Sequence, residues 1–169
     1  MERIDKICSH ALWRSYVNKI GELERDRIFC GHDTSHFLDV ARLAYIEDLE
    51  RNLNISKELI YAAALLHDIG RYHEYLDDIP HDKASAMLAG DILKDCGFDT
   101  QEQNEIIAAI AQHRTAETEK KDDLAGLIYS ADKKSRLCLF CKAEKILIIQ
   151  TKRSVGSQQK SKKGIQIVR

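Results

Sequence analysis

Proline and glycine are scarce in this 169-residue chain, which has one proline (Pro80) and eight glycines. Both residues build turns and break helices, so their rarity argues against a turn-rich sandwich or barrel. Period-2 alternation of apolar and polar residues, the mark of a half-buried strand, is also absent. No apolar run approaches the roughly 20 residues of a membrane span. The first residues, Met1-Glu2-Arg3-Ile4-Asp5, carry charge in place of an apolar leader core. These absences set the expectation of a cytoplasmic protein with no membrane association. Five scattered cysteines, Cys8, Cys30, Cys96, Cys138 and Cys141, form an odd set without framework spacing, so disulfides are not expected. Cys138 and Cys141 make a lone CxxC with no second pair, and read as two small core thiols.

Helical spacing of apolar residues is what the chain does have. Ile4, Ile7, Cys8, Ala11, Leu12, Tyr16, Ile20 and Leu23 fall on one stripe and predict a first helix over residues 4–23. Phe37, Val40, Ala41, Ala44, Tyr45, Asp48 and Leu49 predict a second over 35–52. Ser56 is a suitable N-cap for a third helix through Ile69, with Gly70 as its C′ residue. A charged, irregular stretch is expected over 71–80. A fourth helix follows over 81–96, ended by Gly97. Thr100 and Gln103 suggest a capping box for a fifth through Gln112. After a polar loop over 114–123, a sixth runs over 122–137. The expected fold is all-α, a bundle of about six helices.

Charge divides the chain. From Lys142 onward there are eight Lys/Arg against one acid, while the preceding residues hold 18 basic and 26 acidic side chains. Residues 1–141 are expected to form one domain, and 142–169 a basic, solvated and flexible tail. Such a tail could contact RNA or another polyanion, although it has no aromatic residue on which a base would stack.

The pair His67-Asp68 ends the apolar run Ile60-Tyr61-Ala62-Ala63-Ala64-Leu65-Leu66. A carboxylate buried there costs several kcal/mol unless its charge is compensated, and a divalent cation compensates it most directly. Asp132, after Leu127, Ile128, Tyr129 and Ala131, poses the same problem. One cation shared by the two carboxylates would answer both.

The order His36, then Leu65-Leu66-His67-Asp68-Ile69-Gly70, then Ala131-Asp132-Lys133 resembles the HD-domain superfamily of metal-dependent phosphohydrolases, over roughly residues 30–137. The resemblance implies an HD-type helical bundle in which His36, His67, Asp68 and Asp132 ligate one divalent metal. His36 is chosen over His32 because His36-Phe37-Leu38-Asp39-Val40-Ala41 is similar to the family's first motif. His32 shares a helix face with it at i, i+4, and stays open as a ligand or as a partner of one. Two imidazoles and two carboxylates without thiolate suit Mn²⁺, Fe²⁺, Co²⁺ or Ni²⁺ better than Mg²⁺ or Zn²⁺. By the same resemblance His81 and His113 would hold a second metal bridged by Asp68. The alternative is that both bind phosphate or act in proton transfer.

Among the cations, Arg71 could clamp a phosphate and Lys133 could serve Asp132 as a charge partner, with Arg42 and Arg114 as weaker candidates. His73, Glu74, Asp77 and Asp78, in the stretch expected to be irregular, are candidates for a general acid. The implied function is hydrolysis of a phosphate ester or anhydride, of a nucleotide or another small phosphorylated metabolite, by metal-activated attack of water on phosphorus. Two alternatives stand beside it: a metal-stabilised binding module whose basic tail contacts a polyanion, and an RNA phosphodiesterase. No Glu-Asp pair follows His67-Asp68, no Gly-Tyr-Pro triplet occurs, and the zinc deaminase pattern is missing, so those classes are not implied.

Overall fold

The computed structural model of the protein describes residues 1–27 and 29–136, and every regular element among them is helical. The expected tail, the Cys138/Cys141 pair and the end of the sixth predicted helix lie outside the described residues. The described residues hold α1 (Glu2–Ser9), α2 (Ala11–Leu23), α3 (Thr34–Arg51), α4 (Lys57–Leu66), α5 (Arg71–Asp77), α6 (His81–Asp95), α7 (Thr100–Gln112) and α8 (Leu124–Lys134), with a 3-10 turn at Ala116–Lys120. None of these helices is long and apolar enough to cross a membrane.

Two of the eight helices come from places where the sequence pattern misleads. The apolar stripe over 4–23 is continuous, yet the helix breaks at His10, whose backbone is extended. The His10 ring accepts from Leu12 N and so caps α2. Residues 71–77 look irregular because α5 buries no side chain fully, so it carries no amphipathic signature. The capping box of α7 is Asp99 with Glu102, one residue earlier than Thr100 with Gln103.

Helix α4 is the axis of the bundle. Leu59, Ile60 and the run Ala62 to Leu66 are all buried, and α1, α3, α6, α7 and α8 all pack on it. A helix apolar all round belongs at a centre, because each face must be covered. Its last carbonyls have no partner within the helix and are claimed from outside. Ala64 O accepts from His67 Nδ1 at 2.7 Å, and Leu65 O accepts from Trp13 Nε1 at 2.8 Å. The single tryptophan thus fixes α2 against the turn that carries His67 and Asp68.

Gly70 differs from its expected role. Its φ is −78°, so it is not a left-handed C′ residue. It is needed for closeness: a Cβ there would lie 2.3 Å from Ser85 N and 2.6 Å from His81 O. Gly70 N donates to Ser85 Oγ at 2.8 Å, pinning the turn after α4 to the first turns of α6.

Candidate metal centre

Each candidate residue is placed by a local device. Asp33 caps α3 by accepting from His36 N at 2.9 Å, which sets His36 on the first turn. His67 and Asp68 leave the end of α4, and His81 opens α6. His113 follows α7, and Asp132 lies in the last turn of α8, whose start is capped by Asp123.

These devices bring five of the seven histidines around Asp68, with every Nε2 pointing at its carboxylate. On the Oδ2 side, His67, His32 and His36 stand at 3.3, 3.6 and 3.7 Å. On the Oδ1 side, His81 and His113 stand at 3.1 and 3.6 Å. Asp132 joins the Oδ2 side only, its Oδ1 lying 3.6 Å from His36 Nε2 and 4.0 Å from His67 Nε2.

The far nitrogen of each ring decides what Nε2 can do. Nδ1 donates to Ala64 O in His67 and to Ile110 O in His113, both at 2.7 Å. In His81 it donates to the Glu74 carboxylate at 2.6 Å, and in His32 to Glu24 at 2.5 Å. For His36 the partner is Ser135 Oγ at 3.3 Å, whose own proton goes to Asp132 O, so Ser135 accepts from the ring. With Nδ1 protonated in all five, a neutral ring offers a lone pair at Nε2.

The fit to a cation follows from what lacks a partner. His36 Nε2, His67 Nε2 and both Asp68 oxygens are buried without a hydrogen bond. Each such group costs about 1–3 kcal/mol if left alone. One donor atom from each of His36, His67, Asp68 and Asp132 lies within 4.8 Å of the others, and the same holds for Asp68, His81 and His113. His81 Nε2 and His113 Nε2 are 3.2 Å apart, lone pair facing lone pair unless a cation or proton intervenes. Both sets could hold a divalent ion.

Burial alone would raise the Asp68 carboxyl, but positive charge on the surrounding imidazoles when they are protonated, His67 first, holds it well below the usual range. Burial likewise opposes ionisation of Asp132, and His67, Lys133 and Arg136 outweigh it. Burial, with Arg71 and His113 nearby, pushes His81 down to about 4. Glu24 is held at about 2, since bonds from His32 and Tyr75 exceed the cost of its burial.

A cavity of about 210 Å³ opens beside the centre, lined by Arg71, Glu74, His81, His113, Arg114, Asp132, Lys133 and Arg136. Arg71 Nε stands 3.3 Å from Asp68 Oδ2, and Lys133 Nζ binds Asp132 Oδ2 at 2.8 Å. Arg114 lines the cavity, but Arg42 pairs with Asp39 in an exposed position away from it. Glu74 ties His81, Arg71 and Arg114 together. His73 is bound to Asp77, and Asp78 ends α5, so these three do not line the cavity.

Two functional-looking residues escaped sequence reasoning. Arg136 grips both oxygens of Asp132 at 3.0 and 3.1 Å, and only its i, i+4 spacing from Asp132 hints at this. Glu24 gave no signal, because its contact with His32 depends on how the chain returns after α2.

Comparison with known proteins agrees with this geometry. Residues 34–137 match the family model described as HD domain. An uncharacterized protein of Clostridium beijerinckii is 38% identical over 143 residues, 85% of this chain and 89% of its own. Ribonuclease Y of Acetivibrio thermocellus is 31% identical over 123 residues, and that of Nitratidesulfovibrio vulgaris strain DP4 is likewise 31% identical. The chain spans about a fifth of these two ribonucleases, 21% and 22% of their length. A crystal structure of a predicted HD superfamily hydrolase from an uncultured Thermotogales bacterium matches with a TM-score of 0.55 and 30% identity, over 71% of this chain and 66% of that one. With the matched segment running from the helix of His36 past Asp132 and enclosing His67-Asp68, this chain belongs to the HD domain family.

Proposed function

We propose that the chain is a metal-dependent phosphohydrolase of a phosphate ester or anhydride on a small phosphorylated molecule such as a nucleotide. The observation that carries this reading is the buried, partnerless set of His36 Nε2, His67 Nε2 and the Asp68 carboxylate beside a cavity rimmed with cations. His36, His67, Asp68 and Asp132 would hold the ion, of the Mn²⁺, Fe²⁺, Co²⁺ or Ni²⁺ type by their nitrogen and oxygen donors. His81 and His113, sharing Asp68, would take a second. When bound, such an ion supplies Lewis acidity: it lowers the pKa of water and polarises a phosphoryl oxygen.

The chain's own residues do the rest. Lys133 holds Asp132 Oδ2 and Arg136 reaches both of its oxygens, with Oδ1 turned toward His36 and His67. Arg71 steadies Asp68 and, with Arg114, Lys133 and Arg136, presents positive charge to the oxygens of a phosphoryl group in the cavity. Glu74 keeps His81 in the tautomer that faces Asp68.

A panel of phosphorylated metabolites, assayed with Mn²⁺, Co²⁺, Ni²⁺ and Mg²⁺ against Asp68→Ala as blank, tests the reading. Metal-stimulated turnover confined to the wild type is expected. Turnover that persists in a folded Asp68→Ala protein would sink it. The similarity to ribonuclease Y favours a second reading, an RNA phosphodiester as substrate. Short RNA in the same panel separates them: release of nucleotides from RNA with no turnover of small phosphate esters favours the second.

A further inference from the structure

The proposed function gives no task to His32 and Glu24, although both side chains are almost wholly buried, at 4% and 7% exposure. Glu24 Oε2 accepts from His32 N at 2.7 Å, while Oε1 accepts from the ring Nδ1 and from the Tyr75 hydroxyl, each at 2.5 Å. One carboxylate therefore fixes the histidine at its backbone and at its ring. Because an ionised carboxylate has no proton to give, Nδ1 carries the hydrogen and Nε2 keeps its lone pair.

That lone pair faces Asp68 Oδ2 at 3.6 Å, the oxygen that His36 and His67 also face. Two acceptors at that distance do not bond to each other; a group with hydrogens to give must satisfy both. The four donors that lie within 4.8 Å of one another do not include His32. Its place is beside the ligand set, where water or a hydroxyl would stand.

We propose that His32 accepts a hydrogen bond from the nucleophilic water of this centre and orients it, and that Glu24 is the positioning residue that makes His32 an acceptor. This rests on the phosphohydrolase reading. It also gives Glu24 a role that a simple structural salt bridge would not have, because Glu24 acts through the tautomer of the ring.

Glu24→Gln tests this at constant size. The amide oxygen stays with His32 N, so the amide NH₂ faces Nδ1 and donates to it, which drives the ring proton to Nε2 and turns the acceptor into a donor. Nitrogen-15 spectra of the metal-free protein should show His32 protonated at Nδ1 in the wild type and at Nε2 in Glu24→Gln. Mn²⁺ affinity by equilibrium dialysis should stay within about threefold, since a partner outside the ligand set is altered and the four donors remain. With p-nitrophenyl phosphate and Mn²⁺, kcat should fall about 10–100-fold with little change in KM, the usual cost of losing such a partner. Should Glu24→Gln not fold, His32→Ala should show the same kcat loss, restored by free imidazole.

The proposal is overturned by wild-type kcat in a variant whose tautomer has flipped, by a wild-type ring protonated at Nε2, or by a kcat loss that lower Mn²⁺ affinity fully explains. It is also overturned if His32→Ala keeps wild-type kcat or is not restored by imidazole. Failure of the underlying reading looks different: the wild type, with its Nδ1 proton in place, then binds no Mn²⁺ or hydrolyses none of the esters.

Discussion

The two sides of Asp68 are unequal. The Oδ2 side faces His36 and His67 together with a second carboxylate, Asp132, which also lines the cavity. The Oδ1 side faces His81 and His113, has no carboxylate of its own, and opens into the cavity where Glu74 stands behind His81. Affinity for a divalent cation rises with the charge of its ligands, so the Oδ2 side should fill first and bind more tightly. The Oδ1 side, with less charge, is suited to a weaker ion or directly to a substrate phosphate. A shared carboxylate makes a strong site and a weak one neighbours without making them equivalent.

The comparison can be broken most forcefully at the shared residue. Asp68→Ala should remove bound Mn²⁺ from both sides and lower turnover by about 10³-fold, several kcal/mol of lost charge stabilisation, while circular dichroism stays helical. Next come single-sided changes. Asp132→Asn should weaken Mn²⁺ binding by about a hundredfold, whereas His81→Ala should leave about one tightly bound ion per chain, both read by equilibrium dialysis. Equal losses in these two variants would show that the sides are not ranked as their charges imply.

A pH experiment sharpens the same contrast. His81 titrates at about 4 in the folded protein against an ordinary 6.5, chiefly because it is buried. Between these values the unfolded chain binds the proton and the folded one does not. Stability is therefore full above pH 6.5 and is lost as pH falls toward 4. For metal-free protein this amounts to about 2 kcal/mol between pH 7 and pH 5. Urea unfolding at the two pH values measures it, and His81→Gln should remove that share.

The smallest expected effect lies at the rim. Arg136 is a third exposed, at 33%, so its pairing with Asp132 is partly screened by solvent. Arg136→Ala should raise KM about fivefold, roughly 1 kcal/mol, with kcat nearly unchanged.

What the sequence disclosed depended on how each residue's role is encoded. His67, Asp68 and Asp132 stood out because charged side chains interrupt apolar runs. His36, His81 and His113 were legible through the resemblance to the HD-domain superfamily, since a histidine at a helix end carries no such signal by itself. The structure brings these six together, and Arg71 and Lys133 beside them. Glu24 and Arg136 were not legible, since a charged residue near a helix end looks the same whether it faces water or reaches back to a site. The break at His10 was hidden by an apolar stripe that continues across it, and α5 by having no buried face. Gly70 reads in the sequence as a helix terminator, whereas in the fold it is a point of close backbone contact.

That contact reaches further than the turn it occupies. Gly70 lets two backbones touch where Asp68 and His81 diverge, so the gap between these side chains is gauged by main chain against main chain, not by the side chains themselves. One added methyl would lift the start of α6 and carry His81 away from Asp68. A chain with all five histidines and alanine at that position would keep its Oδ2 side and forfeit the other. How many ions such a centre can gather is therefore written partly in a residue that has no side chain to offer.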